Sequence, residues 1–265
     1  MMDLPLKEHG DFKFIETGGT GTPLLLLHGL FGALSNFEGI ISHFSKERNV
    51  VVPLLPIFEG SLKVPTVMAL VDYVTDFVNW KGYSKVHVLG NSLGGHISIL
   101  FTLANAEKVI SVTLTGSSGL FESGLGSTFP KRGDYEYVKN KCEDIFYDRS
   151  VAKKELVDEV YETINDRVKA LRIVWTAKSA LRQNLADKLK DIKVPTLLVW
   201  GKHDPVTPPE VANKFNELIA DTRLILVDKC GHAPMMEHPE LFNQYLEDFL
   251  HHVENTKDKV IAHSA

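Results

Sequence analysis

The chain contains little cysteine: only Cys142 and Cys230 among 265 residues. They lie 88 positions apart (230 − 142), which matches no metal-binding spacing, so we expect no metal site built on cysteine. This small number also excludes a disulfide-stapled scaffold, and two free thiols are a simpler expectation than a disulfide. A hydrophobic core must therefore stabilise the fold, and 44% apolar residues can supply one.

Long apolar runs and blocks of basic residues are also missing. The apolar stretch at residues 23–27 is far shorter than the roughly 20 residues that a membrane-spanning helix needs. The first nine residues mix charges and lack the apolar segment of a signal peptide. A net charge of −5 argues against binding to nucleic acid, which requires a positive face. We therefore expect a cytoplasmic protein that binds neither nucleic acid nor membrane, and its oligomeric state stays unknown.

Strands and helices alternate through the first 115 residues. Strand-like apolar runs lie at residues 12–16, 24–27, 50–55, 85–90 and 109–114. Helical spacing of apolar residues lies at 36–46, 67–80 and 94–106. This alternation predicts an α/β fold with a mostly parallel central sheet covered by helices. The active site of such a sheet lies at the carboxyl ends of its strands.

The pattern changes between residues 120 and 190, where charge increases and no strand-like run interrupts the helical spacing. Helices are predicted there at 135–147, 151–164 and 168–180. Alternation then returns, with strands at 196–200 and 223–227 and helices at 209–220 and 239–252. We therefore expect an α/β core made of residues 1–119 and 191–265. A helical lid, residues 120–190, is inserted after strand 6.

Residues 86–95 carry the most informative motif, Val-His-Val-Leu-Gly-Asn-Ser-Leu-Gly-Gly. Gly90, Ser92 and Gly94 form a Gly-x-Ser-x-Gly pattern between a predicted strand and a predicted helix. This is the pattern of a nucleophile elbow, a sharp turn whose flanking positions have no room for side chains. The turn exposes the serine hydroxyl and places it beside the free N–H groups of the following helix.

A serine hydroxyl needs a base to activate it and an acid to orient that base. Asp204 follows the predicted strand at 196–200, and His232 follows the one at 223–227. Both therefore belong at the sheet edge that carries Ser92. Their order along the chain, Ser92, Asp204, His232, is typical of α/β-hydrolase triads. Alone, the aspartate could be a turn residue and the histidine an ordinary loop residue, but together they predict a catalytic triad.

The oxyanion hole requires two backbone N–H donors. We assign one to Leu93, directly after the nucleophile, and the other to Leu30 in the loop after strand 24–27, with Phe31 as second choice. His28 in that loop is expected to brace it. Phe31 and Trp175 are candidates for the substrate pocket, although Trp175 could instead pack the lid.

These motifs resemble those of the α/β-hydrolase-fold serine hydrolases. The matching segments are residues 28–32, 90–95, 200–208, 231–234 and 237–240. They are spread over nearly the whole chain and are specific for the fold and the triad. The resemblance says little about substrate, because one fold hosts many reactions.

Several details narrow the resemblance. Serine at position 92, where epoxide hydrolases and dehalogenases have aspartate, favours acyl chemistry. Asn91 before the serine and Gly94-Gly95 after it resemble the motif of the meta-cleavage-product C–C hydrolases, but Ala233 stands after His232 where that family usually has an aromatic residue. The loop at 28–32 instead resembles that of small acyl esterases. Residues 53–60 depart from both, since apolar residues replace the usual aspartate and glycine-rich turn.

Other polar groups have simpler interpretations. His232, Glu237 and His238 match no zinc pattern, and the glycines at 18–21 are interpreted as a hairpin turn.

His96, in the predicted helix after Ser92, is expected to be a packed core histidine. Arg172 and Arg182 could hold an acidic substrate, but solvent-exposed positions are the ordinary expectation.

We therefore predict an enzyme of the carboxylesterase type (EC 3.1) that cleaves a small-molecule ester through Ser92, His232 and Asp204 without a cofactor or metal. Two alternatives remain. One is a C–C bond hydrolase of the meta-cleavage-product type, which would need a cationic or polar lid site for the substrate carboxylate. The other is a slow-turnover small-molecule receptor on the same scaffold.

Overall fold

The computed structural model of the protein describes residues 4–32, 34–60, 62–121 and 132–262. The first part of the predicted lid, residues 122–131, lies outside these ranges. Among the described residues, no helix combines the length and apolar character needed to cross a membrane.

Eight strands form one sheet in the order β1-β2-β4-β3-β5-β6-β7-β8. They are β1 Lys7–His9, β2 Phe12–Glu16, β3 Leu24–Leu27, β4 Val50–Pro53, β5 Val86–Asn91, β6 Val109–Thr115, β7 Thr196–Gly201 and β8 Thr222–Val227. Strands β3 to β8 run parallel, whereas β1 and β2 pair antiparallel at one edge. The predicted α/β-hydrolase fold with a mostly parallel sheet is confirmed.

Both faces of the central sheet are buried. Successive side chains of a strand point to opposite faces, so a strand covered on both sides contributes to two hydrophobic clusters. Leu25 and Leu27 belong to the hydrophobic cluster on one face, whereas Leu24 and Leu26 belong to the cluster on the other. All four are at most 1% exposed. The continuous apolar runs in the sequence reflect this double coverage.

The helices cover the sheet and fill the insertion. They are α1 Glu38–Phe44, α2 Val67–Trp80, α3 Leu93–Ala104, α4 Tyr135–Asp144, α5 Lys154–Asn165, α6 Arg167–Leu181, α7 Ala186–Leu189, α8 Pro209–Leu218, α9 Pro234–Glu237 and α10 Pro239–Ala262. Residues of α2, α3 and α8 pack on one face, and residues of α1 and α10 pack on the other. Helices α4 to α7 lie between β6 and β7; we call them the inserted helices.

Side-chain caps explain where two inserted helices begin. Asp134 accepts a hydrogen bond from the N–H of Tyr137 at the start of α4. Asp166 accepts bonds from Val168 and Lys169, so α6 begins at Arg167, one residue earlier than predicted.

The prediction for the glycine-rich turn at residues 18–21 was wrong. Strand β2 pairs with β4, which lies between β2 and β3, so this segment passes β4 to reach β3 and closes no hairpin. The short edge strand β1 was also missed, since three exposed residues carry no apolar pattern. Strand β4 ends at Pro53, two residues earlier than predicted.

Candidate active site

Ser92 occupies a strained turn between β5 and α3. Its φ of 55° and ψ of −120° are unfavourable for a residue with a side chain. The turn is possible because its neighbours are small: a Cβ at Gly94 would overlap the carbonyl oxygen of Leu27 on β3. The geometry is that of the predicted nucleophile elbow, and such strain is commonly found at functional sites.

Asp204 lies just after β7 and is buried, with its side chain fully shielded from solvent. Its Oδ1 accepts the backbone N–H groups of Val206 (2.8 Å) and Thr207 (2.9 Å). Its Oδ2 accepts the hydroxyl of Thr207 at 2.9 Å. These bonds fix the carboxylate plane and compensate for its burial.

His232 lies after β8 and faces this carboxylate. Its Nδ1 is 2.9 Å from Asp204 Oδ2 and 3.1 Å from Oδ1. An ionised carboxylate only accepts hydrogen bonds, so Nδ1 is the donor and Nε2 is left to accept a proton. The histidine backbone is held as well, because its N–H donates to Ile145 O at 2.8 Å and its carbonyl accepts Asn91 Nδ2 at 3.3 Å.

The contacts of Asn91 and Gly29 place Ser92 beside this pair. Asn91 precedes the serine and also donates to Thr115 O at 3.0 Å, so one amide joins the elbow, β6 and the histidine loop. A Cβ at Gly29 would lie 3.3 Å from Ser92 Cβ, so the loop after β3 lies against the serine. In the described ranges Ser92 Oγ forms no hydrogen bond to the His232 ring; such bonds are often long until substrate binds.

The loop after β3 is braced by His28, as predicted. Its Nδ1 is 2.9 Å from Gly29 O, and its Nε2 accepts the N–H of Leu55 at 3.0 Å. Burial lowers the pKa of His28, although the bond to Gly29 opposes this shift, and the ring is neutral at pH 7. The N–H of Leu30 is not paired with a backbone oxygen within the described part of the chain. The N–H of Leu93 lies in the first turn of α3, where helices leave donors unpaired.

The two predicted pocket residues lie on different elements. Phe31 is half-buried and packs against both the core and the small cluster formed by α4 and α5. Trp175 is half-buried on α6. Phe31 therefore joins the loop of the candidate oxyanion hole to the inserted helices.

Arg172 differs from both interpretations considered for it. It is 7% exposed, and its guanidinium donates to the carbonyl oxygens of Ile57 (2.9 Å), Leu62 (2.6 Å), Pro56 (2.8 Å) and Glu59 (3.4 Å). Arg172 therefore holds α6 against the apolar loop after β4 through hydrogen bonds to the loop backbone.

Two further side chains on the same face of α6 make similar contacts. Thr176 donates to Pro65 O at 2.7 Å, and Ser179 accepts from Val67 N at 3.0 Å. Periodicity predicted the helix but could not indicate that its polar residues would be buried.

Replacing Arg172 by methionine is expected to lower the free energy of unfolding by about 3 kcal/mol, because several buried carbonyls lose their donors. Lysine should not restore stability, since one ammonium cannot reproduce the fork of a guanidinium. Urea unfolding measures the effect. Exposed Arg182 on the same segment provides the control, and Arg182→Met should change stability by less than about 0.5 kcal/mol. Equal stability of both variants would contradict this role.

His96 is a buried core histidine, as predicted, and is 0% exposed. Neither ring nitrogen has a hydrogen-bond partner among the described residues. Burial, and to a lesser degree Lys188, lowers its pKa to about 4. The ring is therefore neutral in the folded protein at pH 7.

Because this pKa lies below the usual 6.5, the unfolded chain binds the proton more readily between pH 6.5 and about 4. As the pH is lowered through that window, this group should reduce the free energy of unfolding by up to about 1.4 kcal/mol per pH unit. His96→Leu should reduce the slope, while His28 maintains part of it. Urea unfolding at pH 7, 6 and 5 tests this, with exposed His251→Gln as the control. An unchanged slope in His96→Leu would contradict it.

Two residues that hold the site in place were not predicted to do so: Asn91 and Thr207. Thr207 had a signal, since an aspartate followed by turn residues commonly accepts the N–H groups two and three positions on. Asn91 acts through contacts between segments distant in the sequence, for which a single sequence carries no signal.

The group His232, Glu237 and His238 was not predicted to bind a metal, and its members have other partners. His238 Nε2 is 3.0 Å from Lys229 O, and the Glu237 carboxylate accepts backbone N–H groups. Both cysteines are buried and free. Among the described residues, Glu47, Glu247 and His251 are close enough to share an ion, and they lie at the surface between α1 and α10.

Comparison with known proteins identifies the family of this chain. A family model described as the alpha/beta hydrolase family matches residues 24–245. Lipase 1 of Psychrobacter immobilis is 27% identical, covering 88% of this chain and 78% of the lipase. A 2-hydroxy-6-oxo-2,4-heptadienoate hydrolase of Pseudomonas putida is also 27% identical, covering 88% of this chain and 90% of that enzyme.

Among solved structures, MGS-MChE2, an alpha/beta hydrolase enzyme from the metagenome of lagoon sediments at Mar Chica, Morocco, is 43% identical. The match has a TM-score of 0.77 and covers 94% of this chain and 99% of that one. With a family model matching more than half of its length and the elbow geometry in place, this chain belongs to the alpha/beta hydrolase family.

Proposed function

We propose that the protein is a serine hydrolase that cleaves a carboxylic ester through Ser92, His232 and Asp204. The observation that carries the proposal is the 2.9 Å contact between His232 Nδ1 and a buried, fully hydrogen-bonded Asp204, at the sheet edge where Ser92 occupies its strained turn. This pairing orients the imidazole so that Nε2 can serve as the base.

In the proposed reaction Ser92 Oγ attacks the ester carbonyl while His232 Nε2 accepts its proton. The carbonyl oxygen becomes an oxyanion that accepts the N–H groups of Leu30 and Leu93. The tetrahedral intermediate then expels the alcohol, which receives the proton from His232, and an acyl-enzyme remains. Water attacks this ester by the same path in reverse, His232 taking its proton and returning it to Ser92. Asp204 stabilises the imidazolium at each stage, and no step uses a metal or cofactor.

Arg172 favours ester cleavage over the C–C alternative. A dienoate substrate carries a carboxylate that calls for a cationic or polar site in the lid. Arg172 is the buried cation of α6, and its donors already bind four carbonyl oxygens. We further propose that residues 120–190 act as the lid over Ser92, with Phe31 and Trp175 lining an apolar pocket for the acyl or alkyl group.

The test measures how fast the wild-type protein hydrolyses p-nitrophenyl esters of increasing acyl length and how fast it cleaves a 2-hydroxy-6-oxo-dienoate. We expect turnover of short and medium esters that exceeds dienoate cleavage in kcat/KM by at least tenfold. A fluorophosphonate should label Ser92, as located by peptide mass spectrometry. Faster cleavage of the dienoate would support the C–C hydrolase, and ligand binding without any turnover would support the receptor.

A further inference from the structure

The carboxylate of Glu237 bonds both to the loop that carries His232 and to the turn after α4. Its Oε1 accepts the N–H of Gly231 at 2.7 Å. Its Oε2 accepts the N–H groups of Tyr147 (2.8 Å) and Asp148 (3.2 Å), which follow α4. Three backbone donors from two distant segments therefore meet on one side chain.

Both segments also contact each other directly. The N–H of His232 donates to Ile145 O at 2.8 Å, so the turn after α4 holds the histidine's own peptide group. The fit leaves no spare room, because a Cβ on Gly231 would lie 2.5 Å from Ile145 O and 2.8 Å from Tyr147 N. We call residues 145–148, residues 230–232 and Glu237 the histidine junction.

A carboxylate suits this junction because it accepts hydrogen bonds on both oxygens and donates none. A glutamine could accept the N–H of Gly231 through its carbonyl oxygen. Its amide N–H₂ would then face the N–H groups of Tyr147 and Asp148, placing donor against donor. The inserted side of the junction would be released while the loop side stayed bound.

We propose that Glu237 is a positioning residue for the reaction, which fixes the backbone of His232 against the inserted segment 145–148. The proposal rests on the proposed function, since it assigns His232 as the base. Nothing else in the described part of the chain bonds to both Gly231 and the turn after α4. Loosening the junction leaves Asp204 and Ser92 in place but lets the His232 imidazole move out of its position between them. We therefore expect kcat to fall while substrate binding is unchanged.

The experiment compares Glu237→Gln with Glu240→Gln, an exposed glutamate three residues further on. Active sites are first titrated with a fluorophosphonate, so that kcat is expressed per reactive serine and loss of folded protein does not count. We expect Glu237→Gln to lower kcat per site by about tenfold or more with KM changed less than twofold. Glu240→Gln should stay within twofold of wild type on both.

A second variant approaches the junction from the other side. Gly231→Ala should produce a similar loss of kcat, because its Cβ pushes against Ile145 O. The double variant should lose no more than the larger single loss, since both changes break the same contact. If Glu237→Gln does not fold, Gly231→Ala alone decides the question by the same criterion. Per-site kcat within twofold of wild type in a folded variant would overturn the proposal.

A readout independent of turnover separates the two proposals. The Nδ1 proton of His232, bonded to Asp204, should give a downfield proton resonance that is absent in His232→Ala. We expect it to broaden in Glu237→Gln through faster exchange with water. If wild type hydrolyses no ester but the resonance still broadens, the proposed function fails and the positioning role stands. If the resonance is unchanged, the positioning role fails whatever the substrate.

Discussion

Ser92→Ala is expected to lower kcat for ester hydrolysis by about 10⁵- to 10⁶-fold, the largest effect of any single change in this chain. The reason is that covalent catalysis has no substitute once Oγ is removed: His232 then has no hydroxyl to activate, and only oxyanion stabilisation and binding persist. Burst kinetics with p-nitrophenyl acetate measure both the lost acyl-enzyme and the residual rate.

The fold of this variant should be intact, because alanine removes none of the backbone contacts of the elbow. The N–H of residue 92 still donates to Thr115 O. Ser42→Ala, at an exposed position of α1, is the matched control and should retain full activity. Activity of Ser92→Ala within tenfold of wild type would mean that another group attacks the ester. Ser117 and Ser118, which follow β6, would then be examined first.

The arrangement around Ser92 was predictable because it depends on strand ends. In a parallel sheet the carboxyl ends of β5, β7 and β8 must lie at one edge, so residues directly after them converge even when 140 positions separate them. The contact between Asp204 and His232 is a consequence of that topology. The motif after β5 then identifies which serine belongs to the same edge.

The contacts that hold this arrangement in place were not predictable from the sequence. Arg172 lies on a charged helix, and its burial depends on how α6 docks on the loop after β4. Glu237 bonds to segments 6 and 90 residues away, and neither spacing has a local signature. Pairing of β2 with β4 likewise depends on which edge of the sheet is open, a property of the assembled sheet rather than of the turn at residues 18–21.

Asp204→Asn should lower kcat by about 10⁴-fold while leaving the fold and the site geometry nearly unchanged. Asparagine is the same size, and its carbonyl oxygen can still accept the N–H groups of Val206 and Thr207. Its amide N–H₂ then occupies the position of Oδ2, facing His232 Nδ1 and the hydroxyl of Thr207.

An amide donor opposite Nδ1 selects the wrong tautomer of His232: Nδ1 becomes the acceptor, and Nε2 carries the proton it is meant to receive from Ser92. The loss should therefore appear in kcat, with KM nearly constant, and in slower labelling of Ser92 by a fluorophosphonate. Asp228→Asn is the control, since this residue after β8 is exposed and its carboxylate lies 3.6 Å from Lys202 Nζ and 3.9 Å from His203 Nε2. If Asp204→Asn kept kcat within tenfold of wild type, another acceptor would have to orient the imidazole. Within the described ranges the remaining candidate is the Thr207 hydroxyl, 3.5 Å from Nδ1, which Thr207→Val removes.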